Sequence, residues 1–511
     1  MALGSTLGVS LVGLAGHVIE VEAHLAASVP GFSLVGLPDA ALAESRDRVR
    51  AAVTSCGIDW PQRKITVNLS PASLPKSGSG FDLAIAVAIL AGAEVFDVAR
   101  VAGTVHLGEL GLDGRLRPVR GVLPAVVAAV ALGHPRVVVP VANAAEAALV
   151  PGAEVVAAAS LAEVAWRNGA PIDEPSVAPV VVAVARSVAP PEVDLAEVLG
   201  QHEARVALEV AAAGGHHLLM VGPPGGGKTM LAARLPGLLP DLTESESVEV
   251  TAVHSIAGTF DPGGGLMRRP PFEDPHHTAT PAAIVGGGSG IPRPGAASRA
   301  HRGVLFMDEA PEFSPRVLET LRQPLEHGEL VIHRAGGSAR YPARFLLVLA
   351  ANPCPCGKAV GKGLDCTCQP MARRRYWARL SGPLLDRVDL QVEVHQASRA
   401  EIDGAGRPEP SAVVARRVAA ARQVQAARLA GTPWRTNAEV PGHRIRSMLG
   451  ADRRLLVDLD RALDRGLLSL RGVDRVLRVA WTLADLAGRP APGRAEIGAG
   501  LLLRTRGQVG A

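Results

Sequence analysis

The chain has 511 residues, of which 48% are hydrophobic and 20% charged, and its formal net charge is +4. This composition supplies enough apolar residues for two to four packed domains, and it excludes a largely disordered chain. No apolar run reaches the roughly 18 residues that a membrane span needs. The five cysteines are not spread like a secreted disulfide framework, so we expect a cytoplasmic protein with no membrane partner.

The first 170 residues mix alternating stretches, such as KITVNL at 64–69, with Ala-rich runs, such as 82–92. Alternation of period two is typical of strands, and the Ala-rich runs are typical of helices. We therefore predict an α/β domain over 1–170. Four prolines and little amphipathic pattern over 174–195 indicate a linker, which we place at 171–195.

The segment 196–395 alternates helices, apolar strands and Gly-rich turns, which predicts a mostly parallel sheet flanked by helices. After residue 396 the strand signals cease, and amphipathic runs that end in glycine predict a helical domain over 396–511. That domain holds 20 arginines against 11 acidic residues, an excess of nine positive charges, so the rest of the chain is net −5. The excess favours a nucleic-acid partner, although arginines that only solvate helices would give the same count.

The stretch HHLLMVGPPGGGKTML at 216–231 combines a buried strand, a Gly-rich turn and a helix start. Backbone N–H groups in such a turn curl around phosphates, a lysine reaches the β and γ phosphates, and the next hydroxyl binds Mg²⁺. The sequence therefore predicts an ATP site with Mg²⁺ as a cofactor. Its predicted residues are Gly222, Pro223, Pro224, Gly225, Gly226, Gly227, Lys228 and Thr229.

Two apolar strands that follow end in polar residues. GVLFMDEA at 303–310 ends in Asp308, which can hold Mg²⁺ with Thr229, and in Glu309, which can orient and deprotonate the attacking water. The strand RFLLVLAAN at 344–352 ends in Asn352, where an amide would touch the γ-phosphate or that water.

Arg387 lies between two aspartates in SGPLLDRVDLQVEV at 381–394. A guanidinium in this position suits activation of ATP that is bound by a neighbouring subunit, because it stabilises charge that develops on the phosphoryl group. The alternative is a local salt bridge to Asp386 or Asp389.

Four cysteines form two C-x-C pairs in the loop 352–370, namely Cys354, Cys356, Cys366 and Cys368. Four thiolates could bind one tetrahedral Zn²⁺, although C-x-C is tighter than the usual C-x₂-C spacing. Free thiols in a surface loop are the alternative. The basic stretches KAVGK and MARRRYWAR that flank the second pair favour a loop that faces nucleic-acid phosphates in either case.

The stretch GELVIHRAGGSARYPARF at 328–345 predicts a β-hairpin with a Gly-Gly tip. Arg334 and Arg340 flank this tip, and we take them as candidate DNA contacts. Ordinary solvation of a hairpin is the alternative.

Long contiguous stretches are more specific than the phosphate loop alone, among them FSLVGLPDAALAESRDRVRAAV at 32–53, DPHHTATPAAIVGGG at 274–288, NPCPCG and SGPLLDRVDL. They resemble the ComM/YifB family of magnesium-chelatase-like AAA+ ATPases. The resemblance implies a P-loop AAA+ core, a helical lid and a ring, expected to be a hexamer with ATP between subunits. By position it assigns Walker A to Lys228 and Thr229, Walker B to Asp308 and Glu309, sensor 1 to Asn352, the arginine finger to Arg387, and sensor 2 to Arg471 with Arg478 as the alternative.

The N-terminal domain resembles the Lon-protease-like fold. A Lon-type protease uses a serine and a lysine as its catalytic pair, but Gly80 stands at the aligned nucleophile position and RPVRGVLPA has no lysine. We therefore expect this domain to be a scaffold or to contact DNA.

The leading hypothesis for function is an ATP-driven motor that acts on branched or single-stranded DNA in recombination or DNA uptake. Branch migration is the activity that the resemblance implies. One alternative is a chelatase-type motor that remodels a metal-insertion partner, and another is a protease-like or regulatory ATPase. The Lon-like domain disfavours the first alternative, and the missing Ser/Lys pair disfavours the second.

Overall fold

The computed structural model describes residues 2–36, 42, 44–76, 78–180, 193–288, 292–334, 337–359, 363–380, 382–399, 401, 408–449 and 453–505. The predicted linker at 171–195 includes residues 181–192, which lie outside the described residues. Within the described ranges, no helix combines the length and the apolar character that crossing a bilayer would require.

The N-terminal region is a mixed seven-stranded sheet covered by helices. Its strands are β1 (Ala2–Val12), β2 (Ala15–Ala26), β3 (Gly31–Val35), β4 (Lys64–Ser70), β5 (Val105–His106), β6 (Glu109–Leu110), β7 (Leu116–Arg117), β8 (Arg136–Pro140) and β9 (Glu154–Ala158). Its helices are α1 (Ser45–Ser55), α2 (Asp82–Gly92), α3 (Val122–Ala131), α4 (Val141–Ala147) and α5 (Leu161–Arg167). The strand order is β3-β4-β2-β1-β5-β8-β9, and β6 pairs with β7 separately.

Helix α2 is buried along its whole length and packs on β1 and β2. Glycine allows this close approach, because a Cβ on Gly4 would lie 2.2 Å from the carbonyl oxygen of Ala88. The Ala-rich run that predicted this helix is therefore a core element with no solvent face.

The central region is built on a five-stranded parallel sheet in the order β11-β14-β17-β10-β18. The region contains strands β10 (Leu218–Val221), β11 (Phe272–Glu273), β12 (Gly286–Gly287), β13 (Arg293–Pro294), β14 (Val304–Met307), β15 (Glu329–Arg334), β16 (Gly337–Pro342), β17 (Leu346–Ala351) and β18 (Leu390–Glu393). Its helices are α6 (His202–Gly214), α7 (Lys228–Arg234), α8 (Glu244–Ala257), α9 (Pro281–Val285), α10 (Ala296–Arg299), α11 (Pro315–Thr320), α12 (Arg322–His327), α13 (Pro370–Ala378) and α14 (Gly382–Leu385).

Both faces of the central sheet are buried, as the continuous apolar runs predict for parallel strands. Alternate residues of β17 show this: Val348 packs in one core cluster and Leu349 in the other. Since the strands are parallel, their carboxyl ends share one edge, and the loops that begin at Gly222, Asp308 and Asn352 leave from it.

The C-terminal region is helical. It consists of α15 (Ser411–Arg428), α16 (Gly442–Met448), α17 (Val457–Asp464), α18 (Leu470–Leu486) and α19 (Arg494–Thr505). Arg428 joins α15 to α18 through a bidentate ion pair with Asp485, at 2.6 and 2.7 Å, and its guanidinium lies 4.6 Å from the ring centroid of Trp481. The predicted architecture is thus confirmed as a multidomain α/β chain with a parallel sheet and a helical C-terminal region.

The N-terminal region contacts helix α8 and strand β16 of the central region. The hydroxyl of Ser255 in α8 donates to the carboxylate of Glu146, and a guanidinium N–H of Arg120 donates to the carbonyl of Ala257 at 3.4 Å. In addition, a Cβ on Gly13, in the turn between β1 and β2, would lie 2.2 Å from the carbonyl oxygen of Arg340 in β16.

Candidate nucleotide site and cysteine cluster

The Gly-rich loop 222–227 joins β10 to helix α7 with a backbone that only glycine adopts easily. Gly225 has φ +73° and Gly227 has φ +88°, and a Cβ on Gly222 would lie 2.1 Å from the carbonyl oxygen of Val394. The loop therefore lies closely against the end of β18, and its N–H groups and the start of α7 are available to an anion.

Lys228, the first residue of α7, is 7% exposed. Its ammonium donates to the carbonyls of Gly222 at 2.7 Å and Pro223 at 3.0 Å, and to the side-chain oxygen of Asn352 at 3.1 Å. Burial lowers the pKa of this ammonium, while the carboxylates of Asp308 and Glu309 act in the opposite direction. The partners in the structure are neutral oxygens, which a phosphate could replace as a stronger acceptor.

Thr229 and Asp308 lie together, as a shared magnesium site requires. The Thr229 hydroxyl donates to a carboxylate oxygen of Asp308 at 2.6 Å. Two neighbouring oxygen ligands beside a phosphate loop are the donor set that Mg²⁺ uses with nucleotides. The residues present therefore fit ATP with Mg²⁺.

Glu309 has a left-handed backbone with φ +51°, which is uncommon for a residue with a side chain. Its carboxylate lies 3.3 Å from Nδ1 of His277, and its backbone N–H donates to Asp308 at 2.9 Å. The strained backbone and the histidine together set the direction of this carboxylate.

Asn352 is held from its backbone side as well as through Lys228. Its N–H donates to the hydroxyl of Tyr376 at 3.2 Å, and the indole N–H of Trp377 donates to the carbonyl of Pro353 at 3.2 Å. Both aromatic residues belong to α13, which follows the cysteine loop, so the two ends of that loop are tied together next to Lys228.

The four cysteines of the loop converge. All four sulfurs lie within 4.8 Å of one another, and Cys354 is fully buried. Sγ of Cys366 lies 3.7 Å from that of Cys354 and 3.8 Å from that of Cys356. The backbone N–H of Lys358, followed by the Cys354 thiol, lowers the pKa of Cys356 to about 6, which favours a thiolate at neutral pH.

Arg387 lies near the amino-terminal ends of the strands of the central sheet, whereas Lys228 follows their carboxyl ends. It precedes β18, whose first residue pairs with the first residue of β10, so the length of β10 separates it from the phosphate loop, roughly 13 Å for four residues. Its guanidinium forms an ion pair with Glu326 and donates to the carbonyl of Pro383 at 2.5 Å. The alternative of a salt bridge to Asp386 or Asp389 is not what the structure contains, because Arg475 takes Asp389.

Arg471 is exposed and lies near Arg387, whereas Arg478 donates to the carbonyl of Val440 at 2.8 Å. Burial, then the charges of Arg322, Arg475 and Arg471, lower the pKa of Arg387. The structure therefore brings Arg387 and Arg471 into one basic cluster and leaves both away from the phosphate loop of their own chain. A cavity of about 640 Å³, lined in part by Glu326 and Arg478, opens beside this cluster.

The predicted hairpin is present as β15 and β16, which pair antiparallel from Glu329↔Pro342 to Arg334↔Gly337. Arg340 is 71% exposed along its side chain and lies 3.4 Å from Glu329. The backbone of Arg334 ends β15, while its side chain lies outside the described residues.

Three residues near the phosphate loop were missed by the sequence analysis: Gln201, His277 and Tyr376. Gln201 has φ +52° and its side-chain N–H₂ donates to the carbonyls of Gly226 at 2.8 Å and His395 at 3.1 Å. Its amide oxygen is buried without a partner among the described residues. The only sequence signal was the position of His277 in the quoted stretch DPHHTATPAAIVGGG.

Three family models match this chain. The model described as magnesium chelatase, subunit ChlI, matches residues 194–402, that of subunit ChlI of Mg-chelatase matches 21–143, and that of the ChlI C-terminal region matches 408–504. The matched ranges include the N-terminal sheet, the phosphate loop and the C-terminal helices.

Relatives match over nearly the whole length. An uncharacterized protein of Mycobacterium tuberculosis is 53% identical over 508 residues, 99% of each chain. Competence protein ComM of Haemophilus influenzae is 40% identical over 96% of this chain and 94% of its own, and the uncharacterized protein YifB of Escherichia coli is 40% identical over 92% and 90%. With these matches, and with a phosphate loop, a Thr/Asp pair and a strand-end asparagine around one lysine, the chain belongs to the ComM/YifB family of magnesium-chelatase-like proteins, and its site is consistent with an AAA+ ATPase.

Proposed function

We propose that the protein is an ATP-hydrolysing ring motor that moves DNA, and that it acts as a helicase or branch-migration factor in recombination or DNA uptake. The observation that carries the proposal is the position of Arg387. This arginine lies a strand length from the phosphate loop of its own chain, so it can serve ATP only if that ATP is held by a neighbouring copy.

Within one subunit, Lys228 and the loop N–H groups bind the phosphates, and Thr229 and Asp308 hold Mg²⁺. The metal, when bound, neutralises charge on the β and γ phosphate oxygens. Glu309 then accepts a proton from the attacking water, and His277 orients that carboxylate. Asn352 accepts a hydrogen bond from Lys228, so its side chain responds when Lys228 binds the γ-phosphate.

Between subunits, Arg387 has to exchange Glu326 for the phosphates of the neighbour. The side chain of Glu326 is 43% exposed and that of Arg387 is 16% exposed, so Arg387 has to move out of a largely buried position for this exchange. We propose that Arg471, which lies in the same basic cluster, approaches the same nucleotide as sensor 2. Hydrolysis thus depends on assembly, and we propose a hexamer.

DNA as the substrate is supported by three features of the chain. The C-terminal domain carries an excess of nine positive charges, the hairpin carries the exposed Arg340 in its third residue pair, opposite Val331, and one full-length relative is a competence protein. A cytoplasmic location and a scaffold or DNA-contacting role for a Lon-like N-terminal domain belong to the same proposal.

The second candidate is a chelatase-type motor that remodels a metal-insertion partner, which the description of the matching family models favours. It predicts an ATPase that responds to a protein partner and not to DNA. A protease-like activity lacks a nucleophile at the aligned position, where Gly80 stands.

We also propose that Cys354, Cys356, Cys366 and Cys368 bind one Zn²⁺. Four sulfurs at about 2.3 Å from a zinc ion are about 3.8 Å apart in a tetrahedron. Two of the sulfur–sulfur separations in the structure, 3.7 and 3.8 Å, are close to this value, and that between Cys354 and Cys356 is 3.3 Å.

The test is the ATPase rate of the purified protein at low salt with no DNA, with single-stranded DNA and with a four-way junction. We expect stimulation by DNA that falls steeply as salt is added, because phosphate contacts release counterions. ATP hydrolysis that no DNA changes would favour the partner-dependent motor, and absence of ATP hydrolysis under all conditions would refute the ATPase itself.

A further inference from the structure

The loop that carries the cysteine cluster lies in direct contact with the phosphate loop through Gly357. Gly357, one residue after the first C-x-C pair, has φ +74°, and a Cβ on it would lie 2.5 Å from Cδ and 2.7 Å from Cγ of Pro224. Pro224 is the third residue of the phosphate loop. The loop that carries the sulfurs therefore packs against the element that binds the nucleotide, with no space for a side chain between them.

The same cysteine loop also controls the position of Asn352. Cys354 is two residues from Asn352, whose amide oxygen accepts from Lys228 at 3.1 Å. After the second C-x-C pair the chain enters α13, and Tyr376 and Trp377 in that helix bond to the backbone of Asn352 and Pro353. The cluster thus closes a loop whose ends meet at the lysine that would bind the phosphates.

Burial distinguishes the two sides of the cluster. Cys354 is fully buried beneath the loop, whereas the other three cysteines are partly exposed. The described loop residues 353–359 and 363–369 contain no strand or helix, and the backbone N–H of Gly357 donates within the first half of the loop, to the carbonyl of Cys354 at 2.9 Å. This bond does not constrain the first half of the loop against the second. A metal ion bound by four thiolates would supply that constraint from residues on both sides of the loop.

We infer that Zn²⁺ in the Cys354/Cys356/Cys366/Cys368 cluster sets the ATP affinity of this protein, because it holds Gly357 against Pro224 and Asn352 beside Lys228. The inference rests on the proposed ATP site and adds a regulation to it: zinc-loaded chains bind ATP and zinc-free chains bind it weakly. Zinc acts through the shape of the phosphate loop and not through contact with the nucleotide.

The first experiment uses the full-length protein as purified. Its zinc content is measured by elemental analysis, and its affinity for a fluorescent, non-hydrolysable ATP analogue is measured with Mg²⁺ in excess. Zinc is then removed with a chelator selective for zinc over magnesium, and afterwards added back. We expect one zinc per chain, a loss of affinity of about tenfold or more on removal, and recovery on addition.

Two glycine variants separate loop position from metal binding. Gly357→Ala should keep its zinc yet bind the analogue more weakly, because the added methyl displaces Pro224. Gly363→Ala is the matched control, since Gly363 is in the same loop at φ +66° but has no atom within 4 Å of an added Cβ. It should keep both zinc and affinity.

Cysteine variants complete the test. Cys356→Ser with Cys368→Ser should remove the zinc and reproduce the affinity of chelated protein, whereas Cys56→Ala, outside the cluster, should leave both unchanged. Circular dichroism of each variant shows that the chain is folded. Equal analogue affinity in zinc-loaded and zinc-free protein, or an absence of zinc in protein purified without chelator, would overturn the inference. A zinc-loaded wild type that binds no nucleotide would instead refute the proposed ATP site.

Discussion

The ammonium of Lys228 lies 3.1 Å from the side-chain oxygen of Asn352, so one hydrogen bond joins the phosphate loop to the end of β17. The Lys228→Ala variant should lose nucleotide binding, since it removes the only charge in this bond and the main positive charge facing the phosphates. Titration with a fluorescent ATP analogue should show a loss of at least tenfold. Lys64→Ala, at an exposed lysine of β4, is the control and should bind normally. Equal affinity in wild type and Lys228→Ala would contradict the site.

Glu309→Gln should behave differently, because it keeps the shape of the side chain and removes only the base. We expect the variant to bind ATP with unchanged affinity and to hydrolyse it about 10²- to 10⁴-fold more slowly, which traps the bound state. Single-turnover hydrolysis and analogue binding measured on the same sample separate the two effects. Normal turnover by Glu309→Gln would mean that another residue accepts the proton from the attacking water.

Arg387→Ala should keep ATP binding and lose most hydrolysis, since a finger from a neighbour contributes about 10³-fold or more. Mixing the variant into wild-type protein should lower the ATPase rate beyond the mole fraction of the variant. The control is Arg494→Ala, which disrupts an exposed ion pair with Asp458 in the C-terminal helices and should not affect turnover. Undiminished hydrolysis by Arg387→Ala would rule out the trans role.

Arg340→Ala should remove most of the stimulation of the ATPase by DNA and leave the basal rate unchanged. The side chain is exposed and its only described ion pair is with Glu329, so the fold should not depend on it. The measurement is the ATPase rate against DNA concentration at two salt concentrations. Full stimulation of the variant by DNA would contradict a contact between Arg340 and DNA.

Asp389 tests the packing between the sheet and the C-terminal helices. It is 1% exposed and lies between Arg475 and His216, with Nδ1 of His216 at 3.2 Å. Burial alone would raise the pKa of this carboxyl, but Arg475 and His216 hold it well below its usual range. The stabilisation is complete above a pH of about 4, the pKa of an unfolded aspartate, and is lost as the pH falls further.

Asp389→Ala should therefore destabilise the protein by about 3 kcal/mol at neutral pH, because it leaves the largely buried guanidinium of Arg475 without its partner. Thermal unfolding monitored by circular dichroism provides the measurement. Asp458→Ala breaks an exposed pair and should change the unfolding temperature little. Similar changes of the unfolding temperature in Asp389→Ala and Asp458→Ala would mean that the buried ion pair of Asp389 stabilises the protein no more than an exposed one.

The parts of the fold that could be predicted from the sequence are those that local chemistry determines. The phosphate loop could be predicted from an apolar strand, a Gly-rich turn and a lysine. Asp308 and Asn352 could be predicted to lie near each other, because each follows the carboxyl end of an apolar strand. The partners that depend on tertiary packing could not be predicted. Glu326 reaches Arg387 from helix α12, about 60 residues earlier in the chain, and the contact of Gly357 with Pro224 joins two loops whose sequences give no sign of that contact.

The contact between Gly13 and Arg340 joins the β15–β16 hairpin to the N-terminal region. An added Cβ at Gly13, in the β1–β2 turn, would lie 2.2 Å from the backbone of β16. Because the two backbones are this close, β16 cannot move toward the β1–β2 turn without displacing that turn. Any displacement of β16 at this point would therefore also displace the long antiparallel pair β1 and β2, so the position of the hairpin is coupled to that of the N-terminal sheet.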